Sequence, residues 1–433
     1  MNKRKLYVTA LALTLASPAY ATNGMRLIGF GPVQDSMGGV GVAATLDSAC
    51  MVTNPAGMTE LGGRLDFGAS YFKPTVQYSA TGIDASTPPP QGHLLVNQPG
   101  VTFTSDKGAS PIPAFGVLLP IDQNWTFGLG AYGIAGMGVD YPQNLYSSIT
   151  YSAYSQMRFT PSIAYKLSDL LSFGVTLNGM WATTEWSAAG NFGQAPHLTA
   201  SSFGIGATIG AKVTPLKILT VGVAYETKSF FQDFSYNTAS RSNPLNPSGS
   251  PLPGGVDKLT FDQPQVLTGG VAVRPIGILL VAADVEWIDW PQTNGANLPA
   301  FSQNSSQAMP WNLNWSSQVV YKIGVQVDAL SWLTVRAGYN YGKEPLDSSR
   351  AFENVAFPAI AESHITAGLG FNLSPKFTIN VAGMYAPQVT VSGANANPPM
   401  GTPGYSGPYG QGIASYSTSM SQFSLDGGIA YKF

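Results

Sequence analysis

The feature that most constrains this chain is a repeated alternation of apolar side chains with small or polar ones. From about residue 64 onward, segments of about ten residues carry an apolar side chain at every second position, as in Leu171, Phe173, Val175 and Leu177. Successive side chains of a strand point to opposite faces, so each segment predicts a strand with two different faces. The fourteen segments lie near residues 64–78, 111–121, 125–138, 157–167, 171–185, 201–213, 218–230, 258–274, 278–290, 315–327, 332–344, 362–373, 376–390 and 417–433.

The connections between these segments are of two kinds, which alternate strictly along the chain. Six are tight turns and seven are long loops, and both termini lie at the short-turn end. This meander is typical of a bacterial outer-membrane barrel. The alternative, a soluble β-sandwich, requires Greek-key connections and polar outer faces. The pattern therefore predicts an all-β fold: a transmembrane, antiparallel, up-and-down β-barrel of 14 strands over residues 61–433.

The composition agrees with a protein whose outer surface faces lipid. Charged residues make up 10% of the 433 residues, against roughly 25% in a typical soluble domain. A hydrophobic content of 44% disfavours a disordered chain. Beyond the N-terminus no run reaches the roughly 20 apolar residues that a membrane helix needs. The charge is near balance, without long basic runs, so we expect no nucleic-acid partner.

The first 21 residues have the pattern of a secretory signal peptide. A basic stretch, Lys3 to Lys5, precedes an apolar core from Leu6 to Ala16 and the cleavage site Ala19-Tyr20-Ala21. The pattern predicts export, and with the barrel it predicts localisation in the outer membrane. Cys50 is the only cysteine, so it has no disulfide partner within the chain and is predicted to be a small buried residue.

Aromatic residues mark both ends of the predicted barrel. Trp125 and Trp332 begin strands at the short-turn end, and the other six tryptophans lie near the long-loop end, as expected for two interfacial girdles. The chain ends in an aromatic strand whose last residue is Phe433. This ending resembles the signal by which outer-membrane barrels are recognised by the barrel-assembly machinery.

Residues 22–60 do not alternate and are rich in glycine. The segment carries few charges and is too apolar for a disordered linker, so it is predicted to fold inside the lumen as a plug. A phosphate-binding loop is excluded, because Gly29-Phe30-Gly31 lacks a preceding strand and a following Gly-Lys-Ser/Thr. The segment ends in Asn54-Pro55-Ala56, where an Asn before Pro can cap a turn with its side chain.

This order of features resembles the outer-membrane long-chain fatty-acid transporter family of the FadL/TodX type (OmpP1-like). The resemblance covers the signal peptide, the glycine-rich segment, the Asn54-Pro55-Ala56 motif, and the barrel ending in Phe433. It implies that residues 22–60 form a hatch in a monomeric barrel. It further implies passive import of hydrophobic compounds, most of all long-chain fatty acids, with a kink in the third strand that opens a lateral path through the wall into the membrane lipid.

The third predicted strand contains five glycines that suit such a bend or bulge. They are Gly128, Gly130, Gly133, Gly136 and Gly138. The alternative is that glycine is merely tolerated here against a crowded lumen.

Two apolar loops are candidates for ligand capture at the mouth of the barrel. In residues 141–157, Leu145 and Ile149 fall on one face of a possible short helix, and residues 351–360 add Phe352 and Phe357. The loops could equally pack on each other as a lid that binds no ligand.

Four cations are candidates to meet a ligand carboxylate. If residues 327 and 331 close their hairpin, Lys322 faces Arg336 directly on the lumenal side, with Asp284 and Glu286 nearby on the preceding strand. Two facing cations repel unless an anion lies between them, and that anion is either a ligand or Asp284. Arg158 and Arg350, beside the two apolar loops, are the competing cations.

No enzyme motif, metal-ligand spacing or cofactor motif stands out among these residues. We therefore expect a passive importer rather than an enzyme. Import of aromatic hydrocarbons is the alternative within the family. A general porin, or a surface adhesin or phage receptor that uses the long loops, is the alternative from other classes.

Overall fold

A computed structural model describes residues 23–81, 102–141, 149–188, 198–238, 255–293, 301–302, 313–351, 354–394 and 415–433. The predicted signal peptide, Leu145 and Phe352 lie outside these residues. The strands are β1 Arg64–Thr81, β2 Thr102–Thr104, β3 Ser110–Pro120, β4 Trp125–Asp140, β5 Ile149–Phe159, β6 Ser162–Lys166, β7 Leu171–Ala188, β8 Leu198–Leu216, β9 Leu219–Glu226, β10 Phe230–Phe231, β11 Phe234–Thr238, β12 Gly255–Leu259, β13 Val266–Ile276, β14 Leu279–Ile288, β15 Phe301–Ser302, β16 Gln318–Leu330, β17 Leu333–Gly342, β18 Ser363–Asn372, β19 Phe377–Ala394 and β20 Ser415–Lys432. The helices are α1 Pro32–Asp35 and α2 Cys50–Thr53, with 3₁₀ turns at Pro55–Glu60, Trp290–Gln292 and Ser348–Arg350. No helix within these ranges is long and apolar enough to cross a membrane.

The strands form a closed antiparallel barrel in which each barrel strand pairs with its neighbours in sequence. The first and last strands, β1 and β20, pair from Arg64↔Lys432 to Thr81↔Ser415 and close the ring. Three of the fourteen barrel strands are interrupted, as β2 with β3, β5 with β6, and β9 with β10. Strands β11, β12 and β15 form a separate three-stranded sheet. The predicted fold, a barrel of 14 strands, is confirmed.

The two faces of the wall have the polarity that alternation predicts for a barrel in lipid. On β7 the outward side chains Phe173 and Val175 are 44% and 45% exposed, whereas Thr176 and Asn178 are fully buried on the lumenal side. Apolar residues therefore face outward and polar residues face inward, the reverse of a soluble β-protein.

Two predicted strand boundaries are wrong. The fourth barrel strand begins at Ile149 rather than 157, because residues 149–159 pair with both β4 and β7. The eighth begins at Val266 rather than 258, because residues 255–259 leave the ring and pair with β11.

The predicted girdle is also wrong for two tryptophans. Trp125 and Trp332 are 40% and 51% exposed at the short-turn end, but Trp290 and Trp315 are almost fully buried. Their rings pack edge to face with centroids 5.0 Å apart. They lie where the chain turns inward after β14 and before β16, so they belong to the interior packing.

Residues 23–63, called here the N-terminal segment, pack inside the ring and carry much of the buried apolar core, including Met25, Val40 and Met51. The wall facing the segment has glycine on ten different strands, where an added Cβ would collide with the segment. We call these residues the glycine belt: Gly68, Gly116, Gly128, Gly174, Gly210, Gly222, Gly324, Gly338, Gly368 and Gly428. Backbone and segment therefore approach more closely than any larger side chain allows.

Candidate functional site

The Asn54-Pro55-Ala56 turn is tied to the wall of the barrel. The Asn54 Oδ1 atom accepts a hydrogen bond of 3.1 Å from the Ala56 amide, which is the turn cap expected from the sequence. Its Nδ2 atom donates to the carbonyls of Val42 at 2.8 Å and of Ala211, on β8, at 3.1 Å. One side chain thus joins two parts of the N-terminal segment to β8.

The third barrel strand, β4, loses its partner on one side part-way along its length. Its pairing with β3 runs from Pro120↔Thr126 to Ala114↔Tyr132 and extends no further between the described residues of these strands. On the other side, the register with β5 shifts between Gly133 and Ala135. We call residues 133–139, the stretch of β4 that lacks a β3 partner, the window.

Only three of the five glycines lie at the window. Gly133, Gly136 and Gly138 lie beyond the last β3 pair. The expectation that Gly128 and Gly130 also break the pairing is wrong, because both pair regularly with β3. Gly128 instead makes room for the N-terminal segment, since a Cβ there would lie 2.5 Å from Met51 Sδ. The alternative reading, glycine against a crowded lumen, is therefore correct for this position.

The N-terminal segment occupies the free edge of β4 from the inside. The Leu27 amide donates to the Ile134 carbonyl at 3.0 Å, and the Gly136 amide donates to the Met25 carbonyl at 3.0 Å. Arg26 and Ala135 form an isolated antiparallel bridge. Residues 25–27 thus take the place that β3 would fill in an unbroken wall.

A small cavity lies behind the window, between the N-terminal segment and the wall. Its apolar lining includes Phe72, Ile112 and Met384, and its polar lining includes the carboxyls of Asp35 and Asp426. Burial, with the nearby Asp426, raises the pKa of Asp35 well above its usual value. The lining contains no Lys or Arg.

The candidate cation Arg158 is committed to an ion pair. Its guanidinium donates to Glu226 at 3.0 Å through Nη1 and also through Nη2. Arg26 of the N-terminal segment binds the same carboxylate through Nη1 at 3.1 Å and Nη2 at 3.0 Å. Glu226 thus joins β5 to the N-terminal segment through two buried guanidinium groups.

The predicted juxtaposition of Lys322 and Arg336 is wrong. In the hairpin, Lys322 pairs with Asn340, and Arg336 pairs with Gln326. The register shifts between Asp328 and Leu330, and the turn closes at Leu330↔Leu333, which displaces the pairing by four residues.

Each of the two cations has its own partners. Lys322 forms an ion pair of 3.1 Å with Glu286. Arg336 donates to Gln326 at 2.8 Å and to Asn380 at 3.0 Å. Asp284 accepts hydrogen bonds from the amides of Gly41 and Val42, so it anchors the N-terminal segment to β14.

The predicted capture groove is only partly described, and part of it is wrong. Ile149 lies in β5, so the short helix expected over residues 141–157 does not form through this position. Phe357 is 1% exposed and packs 6.4 Å from the Phe261 ring, inside the barrel. Arg350 ends a 3₁₀ turn, and its side chain lies outside the description.

Several functional candidates were missed from the sequence, namely Glu226, Tyr154, Gln156 and Gln263. Alternation places Glu226 on the lumenal face of β9, and Tyr154 and Gln156 on that of β5. The residues that these side chains contact are distant in sequence. The sequence could therefore predict which face of its strand each residue occupies, but not its partner. Within the described ranges, no group of three or more His, Cys, Asp or Glu side chains is placed to hold a metal ion.

Comparison with known proteins shows which family the chain belongs to. Residues 29–409 match the family model described as outer membrane protein transport protein (OMPP1/FadL/TodX). The chain belongs to this family. A Pseudomonas aeruginosa FadL homologue has a similar fold, with a TM-score of 0.75 and 16% identity over 95% of this chain and 100% of that chain.

Two further solved structures are similar in fold at low identity. The P. putida toluene transporter TodX has a TM-score of 0.67 and 17% identity over 94% of this chain and 99% of its own. The CymD monoaromatic hydrocarbon channel has a TM-score of 0.62 and 18% identity over 95% and 99%. An uncharacterised Chlorobium limicola protein is 36% identical over 86 residues, which are 18% of this chain and 42% of that protein.

The N-terminal segment is expected to loosen as the pH rises. Burial, with the nearby Asp66, raises the pKa of Asp47 to about 7 from 3.8. Because the folded segment binds the proton more tightly than the unfolded one, this stabilisation is complete below pH 3.8 and is lost as the pH rises to about 7. Cys50 of the segment is 1% exposed, so the rate at which a reagent labels its thiol measures how often the segment loosens.

We expect a maleimide to label Cys50 at least about fivefold faster at pH 8 than at pH 5, after division by the rate of a model thiol at each pH. Asp47→Asn should reduce this corrected difference, because the amide that replaces the carboxyl carries no titratable proton, whereas Asp35, whose pKa is also raised, still titrates. An equal corrected rate in the wild-type protein at both pH values would contradict the prediction.

Proposed function

We propose that the protein imports hydrophobic compounds passively across the outer membrane, by capture at the long-loop end, passage through the lumen and lateral exit at the window. One observation carries this proposal: the edge of β4 beyond Tyr132 is paired with residues 25–27 rather than with β3. A wall edge that is closed by a separate stretch of chain can open without breaking the barrel. Residues 22–60 act as the hatch in this scheme.

Exit through the wall agrees with the energetics of an apolar permeant. Each CH₂ group that moves from water into lipid gains roughly 0.8 kcal/mol. A permeant leaving sideways stays out of water, whereas one leaving axially enters the aqueous periplasm. The window cavity, with its largely apolar lining, lies on the sideways route.

Long-chain fatty acids are the first candidate substrates and aromatic hydrocarbons the second. Family membership supports transport over catalysis, and the names of TodX and CymD refer to toluene and to monoaromatic hydrocarbons. Among the candidate cations for a fatty-acid carboxylate, Arg158 and Arg26 already share Glu226. Lys322 is paired with Glu286, whereas Arg336 binds only neutral side chains among the described residues. The filled lumen argues against a general porin. We further propose that the protein is a monomer and that the barrel-assembly machinery recognises it through the strand that ends at Phe433.

Filling the window should slow import. A Cβ on Gly133 would lie 2.5 Å from Ile112 Cγ2, so Gly133→Val combined with Gly136→Val is expected to overpack the opening. We expect uptake of labelled palmitate and of toluene to fall about tenfold, since an added barrier of about 1.4 kcal/mol is tenfold in rate.

The matched control is Gly269→Val with Gly427→Val, because neither position has an atom within 4 Å of an added Cβ. Equal amounts of heat-modifiable barrel must be present in all cells. Wild-type uptake by the window variant would exclude the lateral route and favour axial passage.

A further inference from the structure

Three buried side chains near the window form a chain of hydrogen bonds. The Gln263 Nε2 atom donates to the Tyr154 hydroxyl at 3.0 Å, and that hydroxyl donates to Gln156 Oε1 at 3.1 Å. The three side chains are 0%, 1% and 2% exposed, respectively. Each amide therefore uses one of its two polar atoms on the same phenolic oxygen.

The other polar atom of each amide has no hydrogen-bond partner among the described residues. These atoms are Gln263 Oε1, an acceptor, and Gln156 Nε2, a donor. Buried polar atoms without partners are rare and costly in folded proteins, and each calls for a water or a ligand. Both amides are bound to the same Tyr154 hydroxyl, so the two unpaired atoms belong to one buried cluster.

The surroundings of this site are aromatic and apolar. The Tyr154 ring meets the Phe261 ring edge to face at 5.0 Å, and Phe261 packs 6.4 Å from Phe357. Met25 and Met137 belong to the same buried cluster. Such a lining suits the body of a hydrophobic compound, with aromatic rings favoured by edge-to-face contact.

The site is connected to the window through Met25. The Gln263 Nε2 atom also lies 3.3 Å from Met25 Sδ, and the Met25 carbonyl accepts the hydrogen bond from the Gly136 amide at the free edge of β4. One residue, Met25, therefore links the Gln263 amide to the window.

The unpaired acceptor decides which chemical class fits. Gln263 Oε1 requires a donor, which a hydroxyl supplies and which neither a carboxylate nor a hydrocarbon can supply. We propose that Gln156 and Gln263 bind the polar group of a neutral, hydroxyl-bearing hydrophobic permeant, with an aromatic ring as its apolar body. This proposal rests on the import function proposed above and specifies its substrate class.

The test compares three probes of similar size, p-cresol, toluene and 4-methylbenzoate, by calorimetric titration of the full barrel in lipid nanodiscs. In the double variant Gln156→Leu/Gln263→Leu, the ratio of the p-cresol to the toluene dissociation constant should rise about tenfold, the loss expected from one or two hydrogen bonds. The matched control is Gln265→Leu, two residues away, whose side chain bonds instead to Tyr225 and Asp289. It should keep the wild-type ratio.

Each other outcome overturns the proposal. An unchanged ratio in the double variant means that the amides bind water only. Tighter wild-type binding of 4-methylbenzoate than of p-cresol places the head group at the Arg158 cation instead. Should the double variant fail to assemble, the anomalous signal of 4-bromophenol in wild-type crystals decides: bromine beside Phe261 with oxygen at the two amides supports the site, and any other position contradicts it.

Failure of the import function is distinguished by a separate readout. Cells that carry the barrel and take up toluene faster than cells without it satisfy the proposed function, whatever the hydroxyl preference. Uptake of toluene without a cresol preference contradicts only the amide site. Absence of uptake for both neutral probes and for labelled palmitate contradicts the import function and the amide site together.

Discussion

Deleting residues 22–60 is expected to turn a barrel of low conductance into an open pore, with a conductance in planar bilayers roughly tenfold higher or more. The deleted residues fill the lumen, and their core side chains Met25, Val40 and Met51 are fully buried against it. The lumenal face left behind is lined by glycine and polar side chains, so water and small solutes should enter it.

The control is a barrel that retains residues 22–60 and carries Asp169→Ala at an exposed turn, where the carboxyl is 98% exposed. Both proteins should migrate as heat-modifiable barrels in detergent, and a far-UV circular dichroism spectrum dominated by helix would reject the fold itself. An unchanged conductance in the deletion variant would show that the N-terminal segment is not a plug.

Replacing Glu226 with Ala should release the N-terminal segment from the wall near the window. The carboxylate holds Arg26 and Arg158 at once, and its loss removes the negative charge that the two buried guanidinium groups share. Removing one partner of a buried ion pair typically costs about 3 to 5 kcal/mol. We expect frequent opening events in single-channel recordings. We also expect the change in electrophoretic mobility on heating to occur at a lower temperature than in the wild type.

Glu226→Gln separates charge from hydrogen bonding in this cluster. Glutamine keeps one acceptor oxygen but no negative charge, so its effect on opening should fall between the wild type and Glu226→Ala. Quiet, wild-type recordings from the alanine variant would mean that the Arg26 contact does not hold the segment in place.

The fold could be predicted because alternation reports the face of each strand residue without knowledge of its neighbours. Leu171 to Leu177 revealed one strand, and the strict alternation of turns and loops gave the order of the ring. The same parity placed Lys322, Asp284 and Glu286 on the lumenal side, where all three are buried.

The site could not be predicted to the same extent, because contacts across the lumen depend on register and on the N-terminal segment. A turn that closes at Leu330↔Leu333 moved Arg336 four residues away from its expected partner. Glu226 joins two arginines that are 200 and 68 positions away in sequence, and no local pattern specifies such a contact. Gly128 looked like a break in the wall, although it faces Met51 of the segment.

The glycine belt has a consequence for how barrels of this kind can exchange parts. Ten wall strands lack a side chain where the N-terminal segment approaches them, so the shape of the lumenal surface is complementary to that particular segment. A segment whose bulky residues lie at other positions along the barrel axis would collide with wall side chains at some positions. At others it would leave empty space beside the wall glycines. The segment and its ten glycines therefore have to be exchanged together. A chimera that exchanges residues 23–63 alone would place a segment of one shape against a wall that fits another.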